Sequence, residues 1–407
     1  MPETVVSIDI GSSSMKAAAI GLSGQLLARA RRRLPTGDAS RAAADWPGCL
    51  KALLQDLSDQ DGTLDVAALC ISGNGPTLVG GDDAATLLWN APVAGGGNSD
   101  SLFIPRIVEF KRRHPDSWQK SRSIYSGPEY LIHELTGADL TILPEERYAT
   151  AYWTAEALLD AGFTEEEARK LPPFAKPGSK AGCTKDRIAP IVGSGVPVYC
   201  GAPDFISALV GTNCLEPGQL CDRAGSSEGI NFCSDVPLEG TGIRTLPSVV
   251  PGLWNASVLL PESGSRFSRF KEQVEQDFGS TLTYEELVFM CIHNPSQEAI
   301  IDQGKYLMLQ TAMQVRDSLK VLLSLAAEKN QMIPDRMTVT GGQAANDEWN
   351  QMKANVTGMA ILVPECSDAE LLGDAVFAFT GMGLFPTVQE GAKALHSIAK
   401  CFEPEAF

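Results

Sequence analysis

Apolar positions follow two rhythms along this chain, and their alternation predicts its elements. Residues 5–10 (VVSIDI) form a nearly unbroken apolar run. Residues 15–21 form a second, and "GQLLARARRRL" alternates apolar and basic positions. Such runs, separated by Gly-containing turns at Gly11 and at "GLSGQ", predict a three-stranded meander. "DWPGCLKALLQDLSDQ" switches to helical spacing. "DVAALCISGNG" reads as a buried strand closing on a Gly-rich turn, and "GPTLVGGDDAATLLWNAPV" as a hairpin. "SLFIPRIVEFKRRHPDSWQKS", "SGPEYLIHELTG" and "YATAYWTAEALLDAGF" read as helices, the second stopped by Gly137. "TEEEARKLPP" is a further helix opening on a capping box. "GVPVYCGAPD" is a strand that ends on Asp204.

The grammar then repeats. "GQLCDRAGSSEGINFC" reads as strand, tight turn, strand, like the opening meander. A long helix is expected at "GKYLMLQTAMQVRDSLKVLLSLAAEKN". "RMTVTGGQAANDEWNQMKANVTG" gives a strand, a Gly-rich turn and a helix, and "MAILVPECSDAELLGDAVFAFTGMGLF" a strand and a final helix. Both halves thus place a small-residue hairpin before strands that alternate with helices. The expected class is α/β with two related domains, 1–213 and 214–407, and a cleft between them.

Composition narrows the partners. The 407 residues carry a net charge of −17, which argues against a nucleic-acid surface, since that needs a basic stripe. No apolar run approaches a membrane span, and "MPETVVSIDIG" lacks the basic start and apolar core of a signal peptide. A cytoplasmic location is expected. Ten cysteines occur without a CxxC pair and mostly in apolar runs, as small buried hydrophobes of a reducing compartment would. The glycosylation patterns at Asn255 and Asn355 are then chance matches. The basic run at Arg29–Arg33 reads as an exposed strand end.

Candidate chemistry sits in three turns: "DIGSSSMK", "AGSSEG" and "TGGQAAN". Small residues expose backbone N–H groups and hydroxyls add donors, so such turns can cradle phosphate oxygens. Glycine in a hairpin turn also has a purely conformational explanation. Asp9 and Asp204 each end an apolar strand. An aspartate there is an ion-pair partner or cap, or else it holds a metal ion or takes a proton.

Taken in order, these segments resemble the FGGY carbohydrate kinases. "SIDIGSSSMKAAAI" is similar to their first phosphate motif and "CDRAGSSEGINF" to their second phosphate hairpin. "LCISGNGPTLVGGDDAATLLWNAPV" resembles the sugar-site segment of xylulokinases. "VYCGAPDFISALVGTN" resembles the catalytic-aspartate segment, and "VTGGQAANDEWNQMKANVTG" the adenosine motif. The resemblance implies two actin/hexokinase-like (ribonuclease H-like) domains with the active site in the cleft between them. It implies ATP- and Mg²⁺-dependent phosphorylation of a hydroxyl on a small sugar or polyol, and is compatible with a homodimer. By position, Asp204 matches the general base and Asp9 the carboxylate that holds Mg²⁺ through water. Gly11, Ser12, Ser13, Ser14 and Lys16 match the first phosphate turn, and Gly225, Ser226 and Ser227 the second. Gly341, Gly342, Gln343 and Asn346 match the adenosine turn. Asn74, Trp89, Asn90 and Glu145 match the sugar site.

Departures from the pattern are specific. Residues 72–77 read "SGNGPT" where xylulokinases have "SGQMHG", which leaves the sugar unnamed. Phe205 replaces a polar residue after the base. Pro203 stiffens the approach to it. Between Trp254 and the helix at Gly304 the chain lacks the family's usual "LPYLxGERxP" region and the Glu-Gly of the helix after it. A catalytically weak or inactive sugar- or nucleotide-binding member of the fold is the main alternative. "GSSEG" also matches the hydrolase pattern G-x-S-x-G with Ser227 as nucleophile, but that elbow needs a helix after the serine, and "INFCSD" reads as a strand.

Overall fold

The computed structural model describes residues 4–35, 37–94, 101–293 and 299–405, with residues 299 and 300 by backbone alone. The chain divides into two compact units. The first joins Met1–Gly211 to Glu370–Leu395, and the second joins Thr212–Ala369 to His396–Phe407.

The first unit is built on a six-stranded sheet. Its strands are β1 (Thr4–Ile10), β2 (Ser14–Gly21), β3 (Leu26–Arg33), β4 (Val66–Gly73), β5 (Lys180–Cys183) and β6 (Pro197–Pro203), in the order β5-β6-β4-β1-β2-β3. The expected meander is present: β1 to β3 pair antiparallel. β4 then pairs parallel with β1, and β6 parallel with β4. Every residue of β1 is buried, as an inner strand covered on both faces requires. β3 is the edge, and its arginines face water, which blunts strand addition there. Arg32 pairs with Asp56 at 2.6 Å. Helix α1 (Trp46–Gln60) lays Trp46, Leu50, Leu53, Leu54 and Leu57 on this sheet, a single stripe at helical spacing.

The second unit repeats the plan. Strands β7 (Leu220–Ala224), β8 (Glu228–Ser234), β9 (Arg244–Pro247), β10 (Trp254–Leu260), β11 (Arg336–Thr340), β12 (Ala360–Pro364) and β13 (Ile398–Phe402) take the order β9-β10-β8-β7-β11-β12-β13. β7, β8 and β10 form the antiparallel meander, while β11 and β12 join parallel.

Local expectations fail where proline or unrecognised helical stripes intervene. The helix expected from "SLFIPRIVEF" to "QKS" is two, Ile104–Arg113 and Pro115–Lys120, because Pro115 cannot continue the first. "YATAYWTAEALLDAGF" breaks into a 3-10 turn at Glu146–Thr150 and a helix at Ala155–Asp160, restarted by a cap at Thr154. The capping box at Thr164 and Glu167 forms as expected. The shortened region after Trp254 holds helices Ser263–Phe278 and Tyr284–His293. Phe267, Phe270 and Val274 of the former and Leu287, Val288 and Cys291 of the latter bury in a local core. The long helix begins at Ala299 and runs to Glu328.

Residues 214–407 do not all stay in the second unit. Helix Ala369–Gly381 and helix Val388–Leu395 belong to the first unit from Glu370 onward. Close backbone approach is the physical reason. A Cβ on Gly373 would lie 1.9 Å from the Ser207 carbonyl oxygen, and one on Gly381 would lie 2.0 Å from that of Gly178. Small residues at these two points let the returning helix seat directly on first-unit backbone.

Candidate active site

In the first unit, three parallel neighbours end in line. Ile10 of β1 is the register partner of Gly73 in β4, and Gly73 is the partner of Pro203 in β6. The next residue of each strand is Gly11, Asn74 and Asp204. The sheet therefore delivers the first small-residue turn, the start of "NGPT" and the expected base to one edge. The Asn74 amide donates to the Ile10 carbonyl at 2.9 Å. Such strand ends are where open α/β sheets carry their sites.

The turn after β1 is tight. The Gly11 amide donates to the Ser14 carbonyl at 3.0 Å, and a Cβ on Gly11 would lie 2.8 Å from that same oxygen. Ser12 and Ser13 are exposed, whereas Ser14 is buried. The Ser14 hydroxyl accepts from Arg31 Nε at 2.9 Å, so its side chain faces β3 and two hydroxyls remain on the open side. Ser12 Oγ accepts from Trp89 Nε1 at 2.9 Å. Lys16 pairs with Glu370 of the returning helix. Asp9 is 3% exposed, at the end of β1.

The expected sugar-site residues form one chain of contacts with this turn. Asn74 Oδ1 accepts from Thr77 Oγ1 at 3.0 Å, and the Trp89 amide donates to Thr77 Oγ1 at 3.1 Å. Trp89 then reaches Ser12. Arg106 organises the same loop, donating to the carbonyls of Leu88 at 2.8 Å, of Trp89, and of Ala91 at 3.2 Å. Burial lowers the Arg106 pKa from its ordinary value. Its role was invisible in the sequence, where it is one of four cations in its helix. Asn90 is exposed beside Trp89. Glu145 stands apart from this chain: its Oε2 accepts from the Arg147 amide and from Arg147 Nε, both at 2.9 Å, capping the 3-10 turn. Asp204 opens helix Asp204–Gly211, and its Oδ1 accepts from the Phe205 amide at 2.6 Å.

In the second unit the two turns are neighbours. Arg223 of β7 is the register partner of Thr340 in β11, so Gly225–Ser227 and Gly341–Asn346 follow at the same edge. Gly341 has a φ of +89°, and a Cβ there would lie 2.7 Å from the Ala224 carbonyl. Both facts restrict the position to glycine. Gly342 is exposed, and the Gln343 side-chain amide has both polar atoms buried with no hydrogen-bond partner among the described residues. Asn346 is committed elsewhere: its Oδ1 accepts from the Trp349 amide at 2.9 Å as an N-cap. Gly225 and Ser226 are exposed and Ser227 is half-buried. Helix Ser263–Phe278 abuts this turn, with the Ser265 amide donating to the Ser226 carbonyl at 2.9 Å.

Beneath the second turn lies a fully buried cluster that sequence reading missed. Lys353 Nζ bonds Asp222 Oδ2 at 2.6 Å and also Glu228, all three residues being 0% exposed. Burial and the charge of Glu228 raise the Asp222 pKa well above the carboxylate range, with Lys353 opposing. Burial works against the Lys353 ammonium, yet the two carboxylates hold its pKa above the ordinary value. The cluster ties β7, β8 and helix Asp347–Thr357 together. A Lys in "NQMKANVTG" carried no signal of this.

Comparison with known proteins places the architecture. The xylulose kinase of Lactobacillus acidophilus superposes with a TM-score of 0.77 at 16% identity, covering 99% of this chain and 94% of that one. Glycerol kinase of Plasmodium falciparum with ADP gives 0.77 at 14%, with the same coverage. The fold is thus the two-domain actin/hexokinase-like fold of the sugar kinases. Residues 307–382 match the FGGY family of carbohydrate kinases, C-terminal domain. Autoinducer-2 kinase of Escherichia coli (strain K12) is 22% identical over 338 residues, 72% of this chain and 63% of the relative. That of Yersinia enterocolitica is 22% identical over 348 residues, 74% and 65%. The chain therefore spans less than two thirds of the length of these curated relatives.

Proposed function

We propose that this protein transfers the terminal phosphoryl group of ATP to a hydroxyl of a small sugar or polyol. The observation that carries the reading is the alignment of Gly11, Asn74 and Asp204 on one sheet edge, in a chain whose residues 307–382 match an FGGY carbohydrate-kinase domain. Asp204 takes the proton of the attacking hydroxyl. The backbone amides of Ser12 and Ser13, in the turn that Gly11 closes, and of Ser226 and Ser227, in the turn that Gly225 closes, donate to phosphate oxygens, and Gln343 with Gly341 and Gly342 takes the adenosine. Positioning and charge neutralisation dominate phosphoryl transfer, so these donors matter more than a strong nucleophile. Among the described residues no group of three metal-binding side chains occurs. That suits Mg²⁺, which asks the protein for one or two carboxylates and keeps water and phosphate oxygens. Asp9 is the carboxylate that would hold it, and the ion would neutralise charge on the phosphates. Among the described residues no helix is long and apolar enough to cross a membrane, which accords with a cytoplasmic enzyme.

ATP consumption against ketopentoses, ketohexoses, pentitols, gluconate, glycerol and autoinducer-2 tests the reading and names the acceptor. Asp204→Ala should lower transfer by about 10²–10⁴-fold while ATP binding persists. Transfer at the wild-type rate in that variant would refute the base assignment. Acceptor-dependent thermal stabilisation with no ATP consumption for any acceptor would instead favour a binding protein of the same fold, the reading that "SGNGPT" and the reduced length support.

A further inference from the structure

The helix that returns to the first unit carries a buried carboxyl that none of the chemistry above uses. Asp374 is 0% exposed. Its Oδ2 accepts from Ser72 Oγ at 2.6 Å and its Oδ1 from Ser207 Oγ at 2.8 Å. Both oxygens are engaged, so Asp374 is a poor ligand for anything entering from solvent. What matters is where its two partners sit. Ser72 is the register partner of Asp9 and lies two residues before Asn74 on β4. Ser207 is one helical turn beyond Asp204, on the same face.

The backbone is shaped to admit this carboxyl. Gly373 seats the returning helix on the Ser207 carbonyl, where a Cβ would meet that oxygen at 1.9 Å. On the opposite side, a Cβ at Gly201 would lie 2.8 Å from Asp374 Oδ1 and 2.5 Å from the Ile71 carbonyl. Two glycines in two separate elements thus make room for one side chain. Burial is the main cause that raises the Asp374 pKa well above the carboxylate range, and the charges of Asp9 and Glu370 push the same way. A buried carboxyl whose two oxygens each hold a serine hydroxyl acts as a connector.

We propose that Asp374 is a positioning residue for phosphoryl transfer: it ties the first turn of the Asp204 helix to the strand end that carries Ser72 and Asn74, and so sets where the Asp204 carboxylate stands. This rests on Asp204 being the base. Misplacement of a reacting group by about 1 Å can cost about 10²-fold in rate. Asp374→Ala is therefore expected to lower kcat by about that factor, with the KM for ATP little changed. Asp374→Asn, neutral and able to bond both serines, should restore most of kcat. Amide exchange in the same variants reads the connection without activity: Ala should speed exchange at Phe205, Ile206 and Ser207 while leaving β7 and β8 protected, and Asn should not. Wild-type kcat in the Ala variant overturns the proposal, as does equal loss in both variants, or loosening spread over both units. If the wild type transfers phosphate to no acceptor, the kinase reading fails on its own; the exchange arm then still decides whether Asp374 holds the helix.

Discussion

In the first unit the turn at Gly11–Ser13 is braced by side chains, Trp89 on Ser12 and Arg31 on Ser14. In the second, the turn at Gly225–Ser227 is braced by backbone, the start of helix Ser263–Phe278, where a Cβ on Gly264 would meet the Gly225 carbonyl at 2.0 Å. The carboxyls behind the turns differ too. Asp374 holds two serine hydroxyls, whereas Asp222 and Glu228 share the Lys353 ammonium. One plan of strands is thus supported by different polar groups in the two units. A buried cation between two carboxylates cannot move without stranding a charge.

The largest test of this contrast is Lys353→Met. It leaves two buried carboxyls without their cation. A loss of about 3–5 kcal/mol is expected in urea unfolding. Stability unchanged from wild type would remove the claim that the second unit is held by this cluster. Gly264→Ala comes next. It forces a methyl against backbone, and overpacking of this kind costs about 1–3 kcal/mol. ATP affinity, measured by calorimetry, should fall with it because the Gly225–Ser227 turn must shift. Trp89→Phe is the mildest. It removes one half-buried hydrogen bond, worth about 1 kcal/mol, and should raise the acceptor KM while leaving the melting temperature nearly unchanged. A large stability loss there would erase the distinction between the two units.

Part of this was legible beforehand. The meander, the repeated grammar and the glycines at 11 and 341 follow from local rules, since alternation and turn chemistry act over a few residues. Asp9 and Asp204 stood out because an aspartate ends an apolar run. Glu145, Ser14 and Asn346, expected at the site, also bond Arg147, Arg31 and the Trp349 amide within the fold. Nothing local separates a hydroxyl or amide that faces a ligand from one that caps its own backbone. Arg106, Lys353 and Asp374 were missed for the converse reason, as the partners of each lie far along the chain and no local pattern points to them.

The sequence by itself determined the two families of strands, the three small-residue turns and the resemblance to the sugar kinases, because hydrophobic period and glycine placement are written along the chain. Only the tertiary structure decided that Gly11, Asn74 and Asp204 share an edge, that residues 370–395 return to the first unit, and that Asp374 and Lys353 sit under the turns. Those facts depend on strand register and on backbone approach at Gly201 and Gly373, which bring together distant positions such as Ser72 and Asp374, 302 residues apart.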